Sequence, residues 1–100
     1  MHAALEYTYA DDYLTAREAH RSAHLKAAWR AVKDGDLMLG GAVGDGPFTA
    51  LLIFQGEDAV AKAEAFAVED PYVTNGVVTS WVARPWRTVV GADASTPVRP

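Results

Sequence analysis

The sequence predicts an α+β fold in which an antiparallel sheet carries two helices on one of its faces. Three observations support this prediction. Four segments have the residue pattern of strands, two alanine-rich segments have that of helices, and their order along the chain is β-α-β-β-α-β. The chain has 100 residues, of which 50% are hydrophobic, so it can close one core and forms a single domain. It contains no cysteine, which excludes disulfide bonds, thiolate metal sites and a cysteine nucleophile.

The first strand and the first helix are predicted from periodicity and composition. A strand is expected at residues 4–9, where large apolar side chains occupy every second position. Residues 13–34 are rich in alanine and poor in β-branched residues, which favours a helix, and Gly35 is suited to end it. The pattern leaves open whether this helix is continuous or begins again near Ser22 as an N-cap.

A hairpin and a second helix follow. Residues 37–42 and 48–55 are apolar runs, and the glycine- and proline-containing segment 43–47 between them predicts a β-hairpin. Residues 58–69 return to a helical composition. Pro71 ends this second helix, because the residue before a proline avoids the helical conformation.

The last strand is predicted at residues 77–90. Pro85 within it indicates an edge strand or a bulge, because a proline cannot donate a hydrogen bond to a neighbouring strand. Residues 92–100 contain two prolines and few apolar residues. We therefore expect a domain over residues 1–91 and a disordered tail over residues 92–100.

The predicted order of elements is that of the split β-α-β, or ferredoxin-like, fold. Tyr7, Leu52 and Trp81 are large, and the sequence suggests that they cannot all lie under two alanine-rich helices. The exposed face of the sheet would then be unusually apolar. Dimerisation through this sheet face is the simplest way to cover it, so we expect a homodimer.

The charge distribution narrows the classes of partner. The formal net charge is −4, which argues against nucleic-acid binding, and no apolar stretch is long enough to span a membrane. We expect a cytoplasmic protein. Residues 17–33 contain five basic side chains and one acidic side chain, a local charge of +4. This segment is either a solvated helix face or a surface that attracts anions, and Arg17 and Arg21 are its first two basic residues.

Histidine spacing suggests a weak metal hypothesis. His20 and His24 are four residues apart, so on a continuous helix they would share a face. A metal site needs further ligands, and no other histidine is near in sequence. The simpler interpretation is one surface histidine and one partly buried histidine, so we expect no metal site.

A second pairing, between His24 and Asp70, is more specific. His24 falls on the apolar side of the first helix, and Asp70 ends the second helix. The predicted topology brings these two helix ends together. A carboxylate beside an imidazole fixes its tautomer and prepares it as a general base. The alternative is structural: Asp70 caps the backbone before Pro71, and His24 is a satisfied core histidine. Tyr72 follows at the same helix end and is kept as a candidate.

Five segments in combination point to a known family. They are residues 21–25 (RSAHL), 34–42 (DGDLMLGGA), 63–73 (AEAFAVEDPYV), 76–78 (GVV) and 84–86 (RPW). Together they resemble the YCII-related (YciI-like) domain family of the dimeric α+β barrel superfamily, and the resemblance extends from the first strand to about Gly91. It implies a ferredoxin-like fold that dimerises through its sheets, with a histidine–aspartate active site that falls on His24 and Asp70. One family member is a cofactor-free dehydrochlorinase of a chlorinated hydroxyhydroquinone.

Residues and resemblance together favour a small cofactor-independent lyase or isomerase. His24, oriented by Asp70, is expected to remove a proton from a small cyclic or aromatic acid. Arg21, Tyr72 and Arg17 are the candidates to bind this anionic substrate. The alternative is a non-catalytic dimeric module that binds a ligand or a partner, which needs the same fold but no base.

Overall fold

The computed structural model describes residues 1–100 and contains one four-stranded antiparallel sheet. The strands are β1 (His2–Tyr9), β2 (Leu37–Val43), β3 (Thr49–Gln55) and β4 (Val78–Trp86). The helices are α1 (Tyr13–Ala16), α2 (Arg21–Lys33), α3 (Ala59–Glu69) and α4 (Pro71–Thr74). Neighbours in the sheet follow the order β2-β3-β1-β4, which is the predicted ferredoxin-like arrangement. The β2–β3 hairpin and the edge position of β4, with its Pro85, are also confirmed.

The first helical segment is interrupted. Helix α1 passes into a 3₁₀ turn at Arg17–Ala19, and His20 leaves the regular helical conformation with φ −118° and ψ −4°. Helix α2 therefore begins at Arg21 with His20 as its N-cap, so the helix does restart near Ser22, but Ser22 lies in its first turn and is not the N-cap. The break separates the residues before His20 from the axis of α2, and it resolves the choice that the composition left open.

Strands β1 and β4 each have one end that differs from the sequence prediction. Strand β1 begins at His2, two residues earlier than expected, because His2 pairs with Gln55 of β3. On its other side His2 pairs with Trp86, the last residue of β4. Strand β4 thus ends at Trp86, four residues before the predicted Val90.

The two main helices pack on the sheet in different ways. Ala59, Ala63 and Ala67 form one stripe of α3, and each of them is fully buried against the sheet. Alanine has no side chain beyond Cβ, so this stripe lets the backbone of α3 approach the strands closely. Helix α2, by contrast, has no buried residue. The space beneath it is the cavity described below.

The sheet face that carries the helices also carries Tyr7, Leu52 and Trp81. We expected these side chains to be too large to lie there together. Tyr7 pairs with Trp81, and Leu5 pairs with Leu52. Paired residues of an antiparallel sheet lie on the same face, and Leu5, Tyr7 and Leu52 are buried in the core. The expectation that Tyr7, Leu52 and Trp81 could not all lie on this face was therefore wrong: Tyr7 and Leu52 line the cavity beneath α2, and Trp81 lies outside it, partly buried against the core.

The opposite face of the sheet, which we call the open face, carries no helix. Its register positions include the apolar residues Leu39, Val43, Val82 and Trp86, each between 46% and 71% exposed. An ion pair between Glu6 and Arg84 crosses β1 and β4 on the same face. The open face is thus apolar, as predicted, but through side chains other than those named from the sequence.

Residues 92–100 form no helix or strand. They double back on the segment that follows β4, where the backbone N–H groups of Thr96 and Val98 donate to the carbonyls of Thr88 and Val89. Thr88 Oγ1 and Ser95 Oγ both lie within 3.0 Å of His2 Nδ1. None of the helices has the length and apolar character needed to cross a lipid bilayer.

The close approach of α3 to the sheet leads to a stability prediction. We expect Ala63→Leu to lower the free energy of unfolding by about 1–3 kcal/mol, because the added atoms have no space at a fully buried position. Ala65→Leu on the exposed side of the same helix is the matched control and should change stability by less than about 0.5 kcal/mol. Urea denaturation measures both. Equal stability of the two variants would contradict the packing described here.

Candidate active site

Asp70 lies at the junction of α3 and α4, and its conformation sets the position of its carboxylate. Its backbone is extended, with φ −62° and ψ 123°, as expected before Pro71. As the N-cap of α4, the side chain accepts a hydrogen bond from the backbone N–H of Tyr72 at 3.0 Å. The residue is only 1% exposed. The capping role expected from the sequence is therefore confirmed, but it uses only part of the carboxylate.

His24 makes the second contact with this carboxylate. It lies in the first turn of α2, and its Nδ1 is 2.8 Å from Oδ1 and 3.0 Å from Oδ2 of Asp70. An ionised carboxylate only accepts hydrogen bonds, so Nδ1 carries the hydrogen and donates it. The Nε2 atom is then the nitrogen available for proton transfer, and the ring lines the cavity beneath α2. The predicted juxtaposition of His24 and Asp70 is present.

Tyr7 is the third partner of the carboxylate, and it was not among the site residues predicted from the sequence. Its hydroxyl donates to Oδ2 of Asp70 at 2.7 Å, and the residue is 1% exposed. Burial and the neighbouring carboxylate raise the pKa of the Tyr7 phenol, so it remains protonated and a donor. The sequence did contain an indication of this role. The alternation of β1 placed Tyr7 on the core face, where a tyrosine hydroxyl needs a polar partner.

Aromatic rings hold the imidazole of His24 from two directions. The Tyr72 ring stacks on it with centroids 3.8 Å apart and planes 5° from parallel, and Phe66 meets it edge-on at 6.5 Å. Burial raises the pKa of the Tyr72 phenol, an effect that the nearby guanidinium groups of Arg17 and Arg21 oppose. The stacking and the contact with Asp70 together fix the orientation of the ring.

A cavity of about 340 Å³ separates α2 from the sheet, and His24 is one of its lining residues. On the sheet side it is bordered by small residues of the helix-facing register, Gly40, Ala42 and Ala50. A side chain at Gly40 would project toward Leu52, whose Cγ lies 3.1 Å from the position of a Cβ atom. The small size of the residues at these three positions keeps this part of the cavity open.

The charged groups in the cavity wall are all basic. Arg17 and Arg21 line it beside His24, and no aspartate or glutamate does so. Arg17 Nη1 donates to the Tyr13 hydroxyl at 2.8 Å, with its guanidinium carbon 4.9 Å from the centre of that ring. All four tyrosines of the chain line the cavity. The structure thus brings Arg17, Arg21 and Tyr72, the three predicted ligand-binding residues, into one cavity with His24.

The histidine pair considered as a metal site has a different geometry from the one imagined on a continuous helix. His20 lies in the break before α2, outside the lining of the cavity, whereas His24 faces Asp70. No group of three or more histidine, cysteine, aspartate or glutamate side chains is arranged to hold a metal ion.

The chain is similar to known proteins in its sequence pattern and in its fold. The model of the YCII-related domain matches residues 1–87, so the chain belongs to the YCII-related domain family. The match ends near the end of β4, within the predicted domain of residues 1–91. No curated protein has a significantly similar sequence.

A solved structure with the same α+β fold is 5-chloro-2-hydroxyhydroquinone dehydrochlorinase (TftG) from Burkholderia phenoliruptrix AC1100, in complex with 2,5-dihydroxybenzoquinone. The superposition has a TM-score of 0.70 and covers 88% of this chain and 95% of that chain, at 19% sequence identity. At this identity the similarity establishes the α+β fold alone.

The hydrogen bond from Tyr7 to the buried carboxylate generates a stability prediction. We expect Tyr7→Phe to lower the free energy of unfolding by about 1.5–3 kcal/mol, because a buried charge loses one of its three donors. Tyr72→Phe is the control, since it keeps the stacking on His24 and the backbone donor to Asp70. Urea denaturation at pH 7 compares them. A Tyr7→Phe variant as stable as Tyr72→Phe would contradict the assigned hydrogen bond.

The raised pKa of Tyr7 also predicts how stability changes at alkaline pH. A phenol whose pKa is higher in the folded state stabilises the fold fully below the unfolded value, about 10, and loses this contribution as pH rises above it. The unfolded chain then binds fewer protons, and stability falls by up to about 1.4 kcal/mol per pH unit for each such tyrosine. We expect a shallower fall in Tyr7→Phe, measured by denaturation between pH 9 and 11. Identical slopes would contradict the prediction.

Proposed function

We propose that this protein is a small cofactor-independent enzyme of the lyase or isomerase type, in which His24 transfers a proton of a cyclic or aromatic acid. The observation that carries the proposal is the pairing of His24 Nδ1 with the buried carboxylate of Asp70, which leaves Nε2 free of that carboxylate on a ring that lines the cavity. This arrangement holds the imidazole in one tautomer and one orientation, which a general base requires.

The charge of the cavity supports an anionic substrate. Arg17 and Arg21 supply positive charge and hydrogen-bond donors that suit a carboxylate or phenolate, and no acidic side chain lines the cavity to oppose it. Tyr72 adds an aromatic face and a phenol beside His24. The similar fold of a dehydrochlorinase, in complex with a dihydroxybenzoquinone, supports a six-membered ring as the substrate type.

The proposed step balances without an oxidant or a cofactor. His24 Nε2 accepts a proton from the substrate, and the electron pair of the broken bond to hydrogen forms a new double bond. In the lyase reaction a leaving group such as chloride departs with its bonding pair, so the elements of an acid are lost. In the isomerase reaction the imidazolium returns the proton to another atom of the same ring system. Asp70 remains ionised and stabilises the imidazolium.

Turnover by histidine variants tests this mechanism. The substrates are 5-chloro-2-hydroxyhydroquinone, monitored by chloride release, and a panel of small ring acids in D₂O, monitored by NMR for exchange at carbon. His24→Gln should lose about 10²–10⁴-fold in rate, because the variant has no base. His20→Gln is the matched control, since it removes a histidine of the same segment that does not line the cavity, and it should retain full activity.

Two results would reject the catalytic proposal. Full turnover by His24→Gln would show that His24 is not the base. Binding of these ring acids by the wild type, with neither chloride release nor exchange, would support the alternative of a ligand-binding module.

We also propose that two copies of the chain cover the open face of the sheet. The face has no helix over it, and it exposes apolar side chains from β2 and β4. Monomeric proteins rarely expose a large continuous apolar patch. An isologous contact between two such faces would bury them with twofold symmetry. The Glu6–Arg84 pair on this face satisfies its own charges and would need no partner from the second copy.

Analytical ultracentrifugation tests the dimer. The wild type should sediment with a mass of 2 × 10.7 kDa, or 21.4 kDa, and Leu51→Lys on the open face should shift it to 10.7 kDa. Val68→Lys introduces the same charge at an exposed apolar position of α3 and should leave the dimer intact. A wild-type monomer, or equal dissociation by both substitutions, would reject this interface.

A further inference from the structure

The cavity beneath α2 is longer than the site around His24 and changes character along its length. His24, Arg17 and Arg21 line one end, whereas Leu25, Ala28, Trp29 and Val32 continue along the helix and share one face of it. The eight residue steps from His24 to Val32 advance about 12 Å along the helix axis. A six-membered ring with its carboxylate spans roughly 5 Å between its outermost atoms. A single-ring acid at His24 therefore leaves the far part of the cavity empty.

The wall of this far part is apolar and is not closed by protein atoms. No residue of α2 is buried, and Trp29 is 69% exposed although it belongs to the helix face that lines the cavity. Beneath it, β2 presents Gly40 and Ala42, with Leu37 buried at the end of the strand. We define the apolar channel as the space between Leu25, Ala28, Trp29 and Val32 of α2 and Gly40 and Ala42 of β2.

From this geometry we propose that the natural ligand is an elongated amphiphilic anion, with an acidic ring at His24 and an apolar substituent in the apolar channel. The inference rests on the proposed function and extends it by naming the second half of the substrate. Charge complementarity fixes the direction of binding: the basic groups Arg17 and Arg21 occupy one end only, and the channel contains no charged side chain. An apolar tail of the ligand would cover surface that the protein leaves exposed.

The size of the channel defines the probes. Benzoate, 4-propylbenzoate and 4-pentylbenzoate share one acidic ring, and the five-carbon chain adds roughly 6 Å, which reaches the position of Val32. Each buried methylene should tighten the dissociation constant up to about fourfold. We expect 4-pentylbenzoate to bind the wild type at least about tenfold more tightly than benzoate, as measured by isothermal titration calorimetry at pH 7.

Two adjacent glycines of β2 provide a matched pair of variants. Gly40→Val adds a side chain on the channel side, next to Leu52, whereas Gly41→Val adds it on the open face, where no atom lies within 4 Å of the new Cβ. Gly40→Val should reduce the gain from the pentyl chain to less than about twofold and leave benzoate affinity within about twofold. Gly41→Val should retain the full gain. Ala28→Phe fills the same space from the helix side and should act like Gly40→Val without requiring Leu52 to move.

Each outcome decides the proposal. Affinity that does not rise with chain length in the wild type, including no binding of any probe, would overturn it. A gain that survives in both Gly40→Val and Ala28→Phe would also overturn it. A change of sedimenting mass in Gly40→Val would mean that a second copy of the chain occupies the channel instead. These measurements record binding and not turnover. If affinity rises with chain length but no turnover is found, only the proposed catalysis is rejected. If single-ring acids are turned over but affinity does not rise with chain length, only the elongated ligand is rejected.

Discussion

The buried carboxylate of Asp70 joins the parts of the structure that form the site. Its donors come from three separate elements: the Tyr7 hydroxyl from β1, the His24 imidazole from α2 and the Tyr72 N–H from α4. No lysine or arginine forms an ion pair with it. Leaving a buried charge without its partners costs about 3–5 kcal/mol, so the relative positions of β1, α2 and α4 are constrained together. The orientation of His24 depends on this constraint.

Small residues determine how far each helix lies from the sheet. In α3 the alanine stripe faces strands with large side chains, such as Phe54 and Leu5, and the helix packs directly on them. Beneath α2 the arrangement is reversed, because the helix carries large residues such as Trp29 and the strands present Gly40 and Ala50. The first interface is a closed core and the second is a cavity. One sheet face thus carries both the closed core and the cavity.

Periodicity and composition were sufficient to predict the order of the elements, the hairpin and the edge position of Pro85. They were also sufficient to predict that His24 and Asp70 lie close together, because the predicted topology places the start of one helix beside the end of the other. Periodicity did not show that Tyr7 completes the group around Asp70. The alternation of β1 gives the face of Tyr7, but its hydrogen-bond partner is 63 residues away in sequence and depends on how the strand and helix ends align in space.

The sequence by itself determined the fold class and the types of residue at the site, because both follow from local patterns: alternation in strands, alanine-rich helices, and a proline that ends α3 at Asp70. The tertiary structure decided which side chains share the carboxylate of Asp70 and how much space remains beneath α2. These properties depend on distances between elements, which result from packing the whole chain. The break at His20, the register of β1 with β4 and the gap above Gly40 are therefore visible only in three dimensions.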